Sequence, residues 1–298
     1  MTTLARLLGL TVIAALISLA SVSTAAARAQ PRAPAGTAPA VSPRTPLTRG
    51  SGYVALGDSV AFGYQEPGVV PAPNYHSART FPGYPEQVAT ALHLRVANFS
   101  CPGETSASLI NASAPSNGCE NAYRKAFPLH IRYTGSQLPA AVTYLRAHPG
   151  VRLVTLMIGA NDLFRCQGAA SGCTPARLQT TLGSISANVR RILSAVRGRA
   201  GYLGQIVIVR YFSLNYGVPL LSGFSRALNR AQERAARPFH VRIADGYGEF
   251  AAGSRRFEAN PCLAGLLTQL GSYGKCGVHP TYAGQALLAK AVTAATLL

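Results

Sequence analysis

The chain has 298 residues, 48% of them hydrophobic, and carries 28 Lys and Arg against 10 Asp and Glu, a formal net charge of +18. This length suits one large domain or two small ones. The arginines are scattered and no nucleic-acid-binding motif accompanies them, so we expect no nucleic-acid partner. The positive charge predicts instead an electrostatic attraction to anionic lipid or to an anionic cell-surface polymer.

The N-terminal region has the layout of a secretory signal peptide over residues 1–29. One basic residue, Arg6, precedes an apolar run, and small residues then offer two A-x-A cleavage sites. The uncharged run Leu7–Ala27 is also long enough for an uncleaved membrane anchor, which is the alternative. Residues 30–50 are rich in Pro, Ala and Thr, which predicts a disordered linker before a folded domain at 51–298. We therefore expect a secreted, extracellular protein.

Six cysteines in an exported chain are expected to form disulfides. They allow fifteen pairings, and the pairing of sequence neighbours is the simplest because each bridge then closes one local loop. These bridges would be Cys101–Cys119, Cys166–Cys173 and Cys262–Cys276. The sequence has no C-x-x-C and no clustered histidines, which disfavours a zinc site. We expect neither a metal nor an organic cofactor.

Four segments have the composition of buried strands, beginning at Gly52, Arg152, Gln205 and Phe239, and a weaker fifth begins at Leu94. The runs from Arg152 and Gln205 are almost continuously Val, Ile and Leu, as expected when helices cover both faces of a parallel sheet.

Helical patterns alternate with these strands. Thr174 and Pro175 suit the start of a long amphipathic helix, and Gly198 suits its end. Residues 222–237 and the C-terminal segment are similarly patterned. The alternation predicts a single-domain, three-layer α/β/α sandwich with a central parallel sheet.

Polar motifs follow several of the predicted strands. Ser59 stands in G-D-S directly after the first strand, Gly103 follows the Leu94 segment, and Asn161 stands in G-A-N-D after the third strand. His279 stands in H-P-T-x-x-G at the head of the last helix. These blocks occur in the order and context of the SGNH (GDSL) hydrolase family, which the chain resembles from Tyr53 to its C-terminus.

The resemblance implies a flavodoxin-like SGNH hydrolase fold and a role for each of these residues. Ser59 would be the nucleophile and His279 the general base, and the N–H groups of Ser59 and Gly103 with the Asn161 amide would form the oxyanion hole. The implied function is a secreted serine hydrolase, an esterase or lipase, that cleaves small-molecule or lipid carboxylic esters through an acyl-enzyme. We expect it to be a monomer.

The sequence departs from the family pattern where an aspartate usually precedes the histidine by three residues, because that position here is Cys276. The backbone carbonyl of Cys276 or Gly277 is the expected histidine-orienting group, and Asp245, at the end of a strand, is a displaced alternative. Either would fix the imidazole tautomer. A Cys262–Cys276 bridge would help to hold this loop.

The substrate stays open at this point. A carbohydrate O-deacetylase of the same fold and a non-catalytic basic cell-surface binding protein are the alternatives. The segment Glu66–Pro82 and the loops closed by Cys101–Cys119 and Cys166–Cys173 are expected to border the site. Four side chains there could line an acyl groove or simply pack: Tyr75, Phe81, Leu109 and Phe164.

Overall fold

The computed structural model describes residues 45–271 and 275–298. A five-stranded parallel sheet with the order β2-β1-β3-β4-β5 forms its centre. Its strands are β1 (Gly52–Gly57), β2 (Arg95–Asn98), β3 (Val151–Met157), β4 (Gln205–Val209) and β5 (Arg242–Ala244). All five strands predicted from the sequence are therefore present in this sheet. The predicted signal peptide and most of the predicted linker lie outside the described residues.

Helices connect and flank the strands. They are α1 (Ser59–Phe62), α2 (Tyr84–Leu92), α3 (Arg124–Ala126), α4 (Gln137–Ala147), α5 (Ala160–Gln167), α6 (Pro175–Ser194), α7 (Pro219–Ala236), α8 (Gly246–Ser254) and α9 (Tyr282–Ala295). Short 3₁₀ segments span Ala78–Thr80 and Arg237–Phe239, and π turns span Cys119–Tyr123 and Ala195–Arg199. The predicted stop at Gly198 falls inside the second π turn, which continues α6.

Burial explains why the sheet is parallel and central. Every residue of β4 is buried, and β3 exposes only its second residue, Arg152. Helix α9 packs against α2, α8 and strands β4 and β5, while α6 packs against α5 and α7. The strands therefore lie between two helical layers, and their Val, Ile and Leu side chains contribute to the core on both faces. The predicted three-layer α/β/α architecture is confirmed.

The parallel arrangement brings several loops to one edge of the sheet, because the carboxyl ends of β1, β2 and β3 lie side by side. Ser59, Gly103 and Asn161 follow these three ends. A separate antiparallel hairpin, β6 (Leu267–Gln269) and β7 (Cys276–Pro280), was not predicted. His279 belongs to β7 and stands three residues before Tyr282, the first residue of the helix that it was expected to head.

The described chain begins to pack before the predicted domain boundary at residue 51. Leu47 is buried, and its N–H donates to the Leu297 carbonyl at 2.9 Å. Gln205 also ties the two ends together, since its side chain donates to Thr45 and Leu297. Among the helices that the structure describes, none has the length and hydropathy needed to cross a membrane.

The three disulfides join sequence neighbours: Cys101–Cys119, Cys166–Cys173 and Cys262–Cys276. The first lies in a second small core with Phe62, Phe81, Tyr123 and Leu129. The third links the start of β7 to the loop that precedes β6, and so anchors the hairpin that carries His279.

Candidate active site

Asp58, the residue before Ser59, fixes the position of Ser59 at the carboxyl end of β1. Asp58 caps α1, its Oδ1 accepting the Val60 N–H at 3.0 Å while the Tyr211 hydroxyl donates to its Oδ2. Burial raises the pKa of Asp58 to about 6, against the lowering effect of the Tyr211 and Val60 hydrogen bonds. As the first residue of α1, Ser59 turns its hydroxyl towards the edge of the sheet and remains 8% exposed.

His279 reaches Ser59 across 220 residues of sequence. Its Nε2 lies 2.8 Å from Ser59 Oγ, a hydrogen-bond distance. The ring of Tyr64 packs edge-on against the imidazole with 4.9 Å between ring centroids. The imidazole thus has one nitrogen on the serine and its ring packed against an aromatic side chain.

The other imidazole nitrogen faces a carboxylate that the sequence analysis did not identify. Nδ1 of His279 lies 2.7 Å from Oε1 of Glu66, although the N–H direction is bent away from that oxygen, so the two atoms are in close contact without a linear hydrogen bond. No carbonyl of Cys276 or Gly277 bonds Nδ1 among the described residues. The expectation of a backbone carbonyl is therefore corrected, because the Glu66 side chain fills that space.

Asp245 is also not the orienting group. It caps α8 through the Gly248 N–H at 3.1 Å and pairs with Arg210 at 3.1 Å. It follows β5, and the sheet order separates that strand from β1 by β3 and β4.

Gly103 and Asn161 approach each other through Asn117, a residue that the sequence analysis did not single out. The Asn117 N–H donates to the Gly103 carbonyl at 2.7 Å, and its side-chain Nδ2 donates to Asn161 Oδ1 at 2.8 Å. Gly103 has φ +82°, and a Cβ there would overlap the Asn117 carbonyl. The only advance signal for Asn117 was its place in the Cys101–Cys119 loop.

Three N–H groups of this region are available to a ligand. Asn161 Nδ2 uses one hydrogen on the Glu104 carbonyl at 3.0 Å, which leaves its second hydrogen free. Within residues 45–271 and 275–298, the backbone N–H groups of Ser59 and Gly103 donate to no protein acceptor. The arrangement offers three donors on residues that line the same cavity as the Ser59 hydroxyl.

Two buried acids, Asp162 and Glu104, make hydrogen bonds within the loops that carry Asn161 and Gly103. Asp162 accepts from the backbone N–H and hydroxyl of Ser106 at 2.8 and 2.7 Å, and burial raises its pKa although these bonds oppose the shift. Glu104 contacts the Ser108 hydroxyl and accepts from Gln137 at 3.1 Å. Burial raises the pKa of Glu104 to about 8, so this carboxyl is protonated at neutral pH.

One group of three residues in the described chain has the spacing of metal ligands. Cys101, Glu104 and Cys119 bring ligand atoms within 4.8 Å of one another. The two sulfurs are bonded to each other, so neither is a thiolate. The group is a disulfide packed on a protonated carboxyl, and it does not suit a metal ion.

A cavity of about 510 Å³ opens above Ser59. This volume lies in the range of small-molecule sites. Its walls are mostly apolar: Leu163 and Phe164 come from α5, and Leu221, Phe224 and Leu228 come from α7. Tyr64, Tyr123 and Phe127 line it as well.

The expected border of the site is found only in part. Phe164 lines the cavity, whereas Leu109 and Phe81 are fully buried in the two cores. Tyr75 packs on Phe81 and donates to the Gln65 carbonyl. In the described segment 66–82 no residue lines the cavity.

Solved structures share this fold. An acetylxylan esterase, Axe2, from Geobacillus stearothermophilus aligns with a TM-score of 0.52 and 16% identity, covering 84% of this chain and 95% of that chain. A protein from Parabacteroides merdae described as a GDSL-like lipase aligns with a TM-score of 0.53 and 16% identity, covering 84% and 97%. No curated protein matches the chain. At these identities the structures establish the fold alone.

The sequence itself matches a family model, described as the GDSL-like lipase/acylhydrolase family, over residues 55–287. This span contains the Ser59 and His279 pair and every loop that surrounds it. The chain therefore belongs to the GDSL-like lipase/acylhydrolase family and is an ester hydrolase.

Proposed function

We propose that this protein hydrolyses carboxylic esters with extended apolar acyl groups, using Ser59 as the nucleophile. The observation that carries the proposal is the 2.8 Å contact between Ser59 Oγ and His279 Nε2 on the floor of an apolar cavity. A serine needs such a base to lose its proton at neutral pH.

The geometry supports a two-step acyl transfer. Ser59 Oγ attacks the ester carbon while His279 Nε2 takes its proton. The N–H groups of Ser59 and Gly103 and the Asn161 amide stabilise the negative oxygen. His279 then returns the proton to the departing alcohol, leaving an acyl-enzyme. A water molecule, deprotonated by His279, attacks the acyl carbon, and the acid leaves as the serine regains its proton.

The cavity favours an acyl group longer than acetyl. Side chains of α5 and α7 line an apolar volume that an acetyl group would leave mostly empty. Each acyl methylene buried there contributes about 0.8 kcal/mol to the free energy of binding. We therefore expect catalytic efficiency to rise from acetate towards medium-chain esters.

Carbohydrate O-deacetylation is the second candidate, because the similar Axe2 structure is named an acetylxylan esterase. At 16% identity that likeness concerns the fold, and an acetyl group would not use the apolar cavity. A non-catalytic binding role is the third candidate, and it predicts no dependence on Ser59.

The test is a series of p-nitrophenyl acetate, butyrate, decanoate and palmitate. It compares the natural protein with Ser59→Ala and with Ser225→Ala. Ser225 lines the same cavity, but its hydroxyl bonds the Phe212 carbonyl at 2.9 Å, so it is a matched control. We expect Ser59→Ala to lose at least 10³-fold in kcat and Ser225→Ala to lose less than about fivefold.

Each result of the series selects a function. Greater efficiency on butyrate or decanoate than on acetate supports the acyl-ester proposal. A Ser59-dependent activity confined to acetate favours the deacetylase. Equal rates for the natural protein and Ser59→Ala on every ester would refute the hydrolytic role of Ser59.

We also propose that the protein is exported and acts as a monomer. Three disulfides are typical of proteins from oxidising compartments. Expression of the full chain in the source cell, followed by N-terminal sequencing of the medium fraction, tests the export. A mature protein that begins near residue 30 is expected, and retention of Met1 in a membrane fraction would favour the anchor. Analytical ultracentrifugation of the mature protein measures its mass in solution and so tests whether it is a monomer.

The surface of α7 supports an attraction to anionic lipid. Arg226, Arg230 and Arg234 are exposed and four residues apart, so they share one face of the helix. The acid of that helix, Glu233, is paired with Arg210. Near the cavity, Leu220 is 66% exposed. Arginines and an apolar residue on one helix suit an anionic bilayer surface.

Vesicle binding tests this attraction. We expect the protein to bind phosphatidylglycerol vesicles at least tenfold more tightly than phosphatidylcholine vesicles, and a triple Arg→Gln variant of the α7 face to lose most of that preference. The matched control changes three exposed arginines elsewhere: Arg49, Arg95 and Arg146. Equal loss in both triple variants would indicate that net charge, and not α7, drives binding. Binding to a soluble polyanion but not to vesicles would favour a cell-surface polymer.

A further inference from the structure

The Glu66 carboxylate contacts two separate parts of the β6–β7 hairpin. Oε1 lies 2.7 Å from His279 Nδ1 and accepts the Val278 N–H at 2.7 Å and the His279 N–H at 3.2 Å. Oε2 accepts the Thr268 hydroxyl at 2.5 Å. Glu66 follows α1 and stands seven residues after Ser59 in the sequence. A single side chain from the nucleophile's own loop therefore holds the strand that carries the histidine.

Gly277 makes room for this carboxylate. A Cβ at residue 277 would overlap both carboxylate oxygens and the carboxyl carbon of Glu66. The φ of Gly277 lies outside the left-handed region, so its backbone accepts other residues. The sterically limiting neighbour of Gly277 is therefore the Glu66 side chain itself.

The carboxylate is ionised where it lies. Burial by itself would raise the pKa of Glu66, but the neighbouring His279 and the Thr268 hydroxyl lower it to about 2. Both side chains are largely buried, with 17% of Glu66 and 12% of His279 exposed. A fixed negative charge thus stands beside Nδ1 with little solvent between the two groups.

We propose that Glu66 is the positioning residue of His279, supplying from the nucleophile loop the acid that the family pattern places three residues before the histidine. The inference rests on the proposed hydrolysis at Ser59. The carboxylate favours the tautomer with the proton on Nδ1, which leaves Nε2 as the acceptor towards Ser59. When Nε2 takes the serine proton, the imidazolium forms 2.7 Å from the negative charge.

A purely structural role for Glu66 would need only its bonds to the Val278 N–H and Thr268. The first variant is therefore Glu66→Gln, which retains an amide oxygen for that N–H and removes the charge. The matched control is Thr268→Val, which removes the hydroxyl contact to Oε2 and retains the charge. Thermal unfolding of both variants tests whether they are folded.

Kinetics on the preferred p-nitrophenyl ester show whether Glu66 positions His279 for catalysis or only stabilises the hairpin. We expect Glu66→Gln to lose at least 100-fold in kcat with KM within about threefold, since the charge acts on the imidazolium of the transition state. Thr268→Val is expected to lose less than about fivefold. A folded Glu66→Gln protein with kcat within fivefold of the natural value would overturn the proposal.

Gly277→Ala supplies a test that leaves Glu66 unchanged. A methyl at this position must displace the carboxylate, so Gly277→Ala is expected to lose kcat to a similar extent. The double variant Glu66→Gln/Gly277→Ala should be no slower than the slower single variant, because both changes remove the same interaction. Losses that multiply in the double variant would contradict a shared cause.

A readout that needs no turnover keeps this inference distinct from the proposed hydrolysis. Nitrogen-15 NMR of labelled histidine, with the His279 signals assigned from a His279→Asn variant, reports which ring nitrogen carries the proton. We expect the natural protein and Thr268→Val to have the proton on Nδ1, and Glu66→Gln to show a mixture. If the natural protein lacked Ser59-dependent hydrolysis, this shift alone would still support the contact, and an unchanged spectrum would overturn it.

Discussion

Replacing Glu104 by Gln is expected to stabilise the protein more and more as the pH rises towards 8. Burial raises the pKa of Glu104 from its ordinary value of 4.5 to about 8. Between these values the unfolded chain has released the proton while the folded chain retains it. The folded state then binds more protons than the unfolded state, so its stability falls as the pH rises. Glutamine has no proton to release and removes this dependence.

The size of the effect follows from the interval between the two pKa values. A single proton changes the free energy of unfolding by ~1.4 kcal/mol per pH unit, which gives an upper limit of about 5 kcal/mol. The neighbours of Glu104 suit an amide: its oxygen can accept from Gln137 Nε2 and its NH₂ can donate to Ser108. We therefore expect about 3–5 kcal/mol of relative stabilisation at pH 8 compared with pH 4.5.

Equilibrium unfolding in urea at pH 5, 6, 7 and 8, with the disulfides intact, measures this difference. The control is Glu249→Gln, which removes a surface carboxylate paired with Lys290. The stability difference between Glu104→Gln and the natural protein should grow with pH, and that of the control should not. A difference that stays constant from pH 5 to 8 would refute the assignment of a protonated carboxyl at Glu104.

Three further changes test the site. Asn161→Ala should lower kcat by about 10²–10³-fold with little change in KM, since it removes one donor to the negative oxygen; a loss confined to KM would contradict this role. Leu221→Trp narrows the cavity and should reduce kcat/KM for decanoate at least tenfold while butyrate stays within threefold; equal losses would place the acyl chain elsewhere. Replacing Cys262 and Cys276 by Ser opens a loop of 14 residues and should lower the free energy of unfolding by up to about 3 kcal/mol in denaturant titrations. An unchanged midpoint would show that this bridge does not constrain the unfolded chain.

Local signals were sufficient to predict the sheet and to select four candidate residues that line one cavity. Composition predicted all five strands, and the almost continuous Val, Ile and Leu runs from Arg152 and Gln205 are typical of strands buried on both faces. Ser59, Gly103 and Asn161 each follow such a strand, and parallel strands end at one edge of the sheet. Their proximity could therefore be inferred without knowledge of any side-chain contact. His279 was found from its own motif, although it lies in a hairpin strand that no periodicity indicated.

The histidine-orienting group could not be predicted by the same reasoning. Asp245 drew attention because it ends a strand, but β5 lies three strands from β1, which at the usual strand spacing is about 14 Å. Glu66 stands in an irregular polar segment, where neither helical nor strand periodicity indicates the direction of a side chain. A scarcity of acids was the available signal: the chain has only 10 Asp and Glu, and Glu66 begins a segment that was expected to border the site.

The place of Glu66 in the sequence determines which segments of the chain form the site. Ser59 and Glu66 are seven residues apart, so the proposed nucleophile and the proposed positioning carboxylate both come from one local stretch of chain around α1. The proposed base, His279, comes from 213 residues further along the chain, on the β6–β7 hairpin, which contacts that carboxylate. Its contacts with Glu66 come from Thr268, Val278 and His279, and only those of Val278 and His279 reach the oxygen that faces Nδ1. A change that loosens the hairpin should therefore lower activity before it unfolds the central sheet, because the hairpin forms a separate two-stranded sheet.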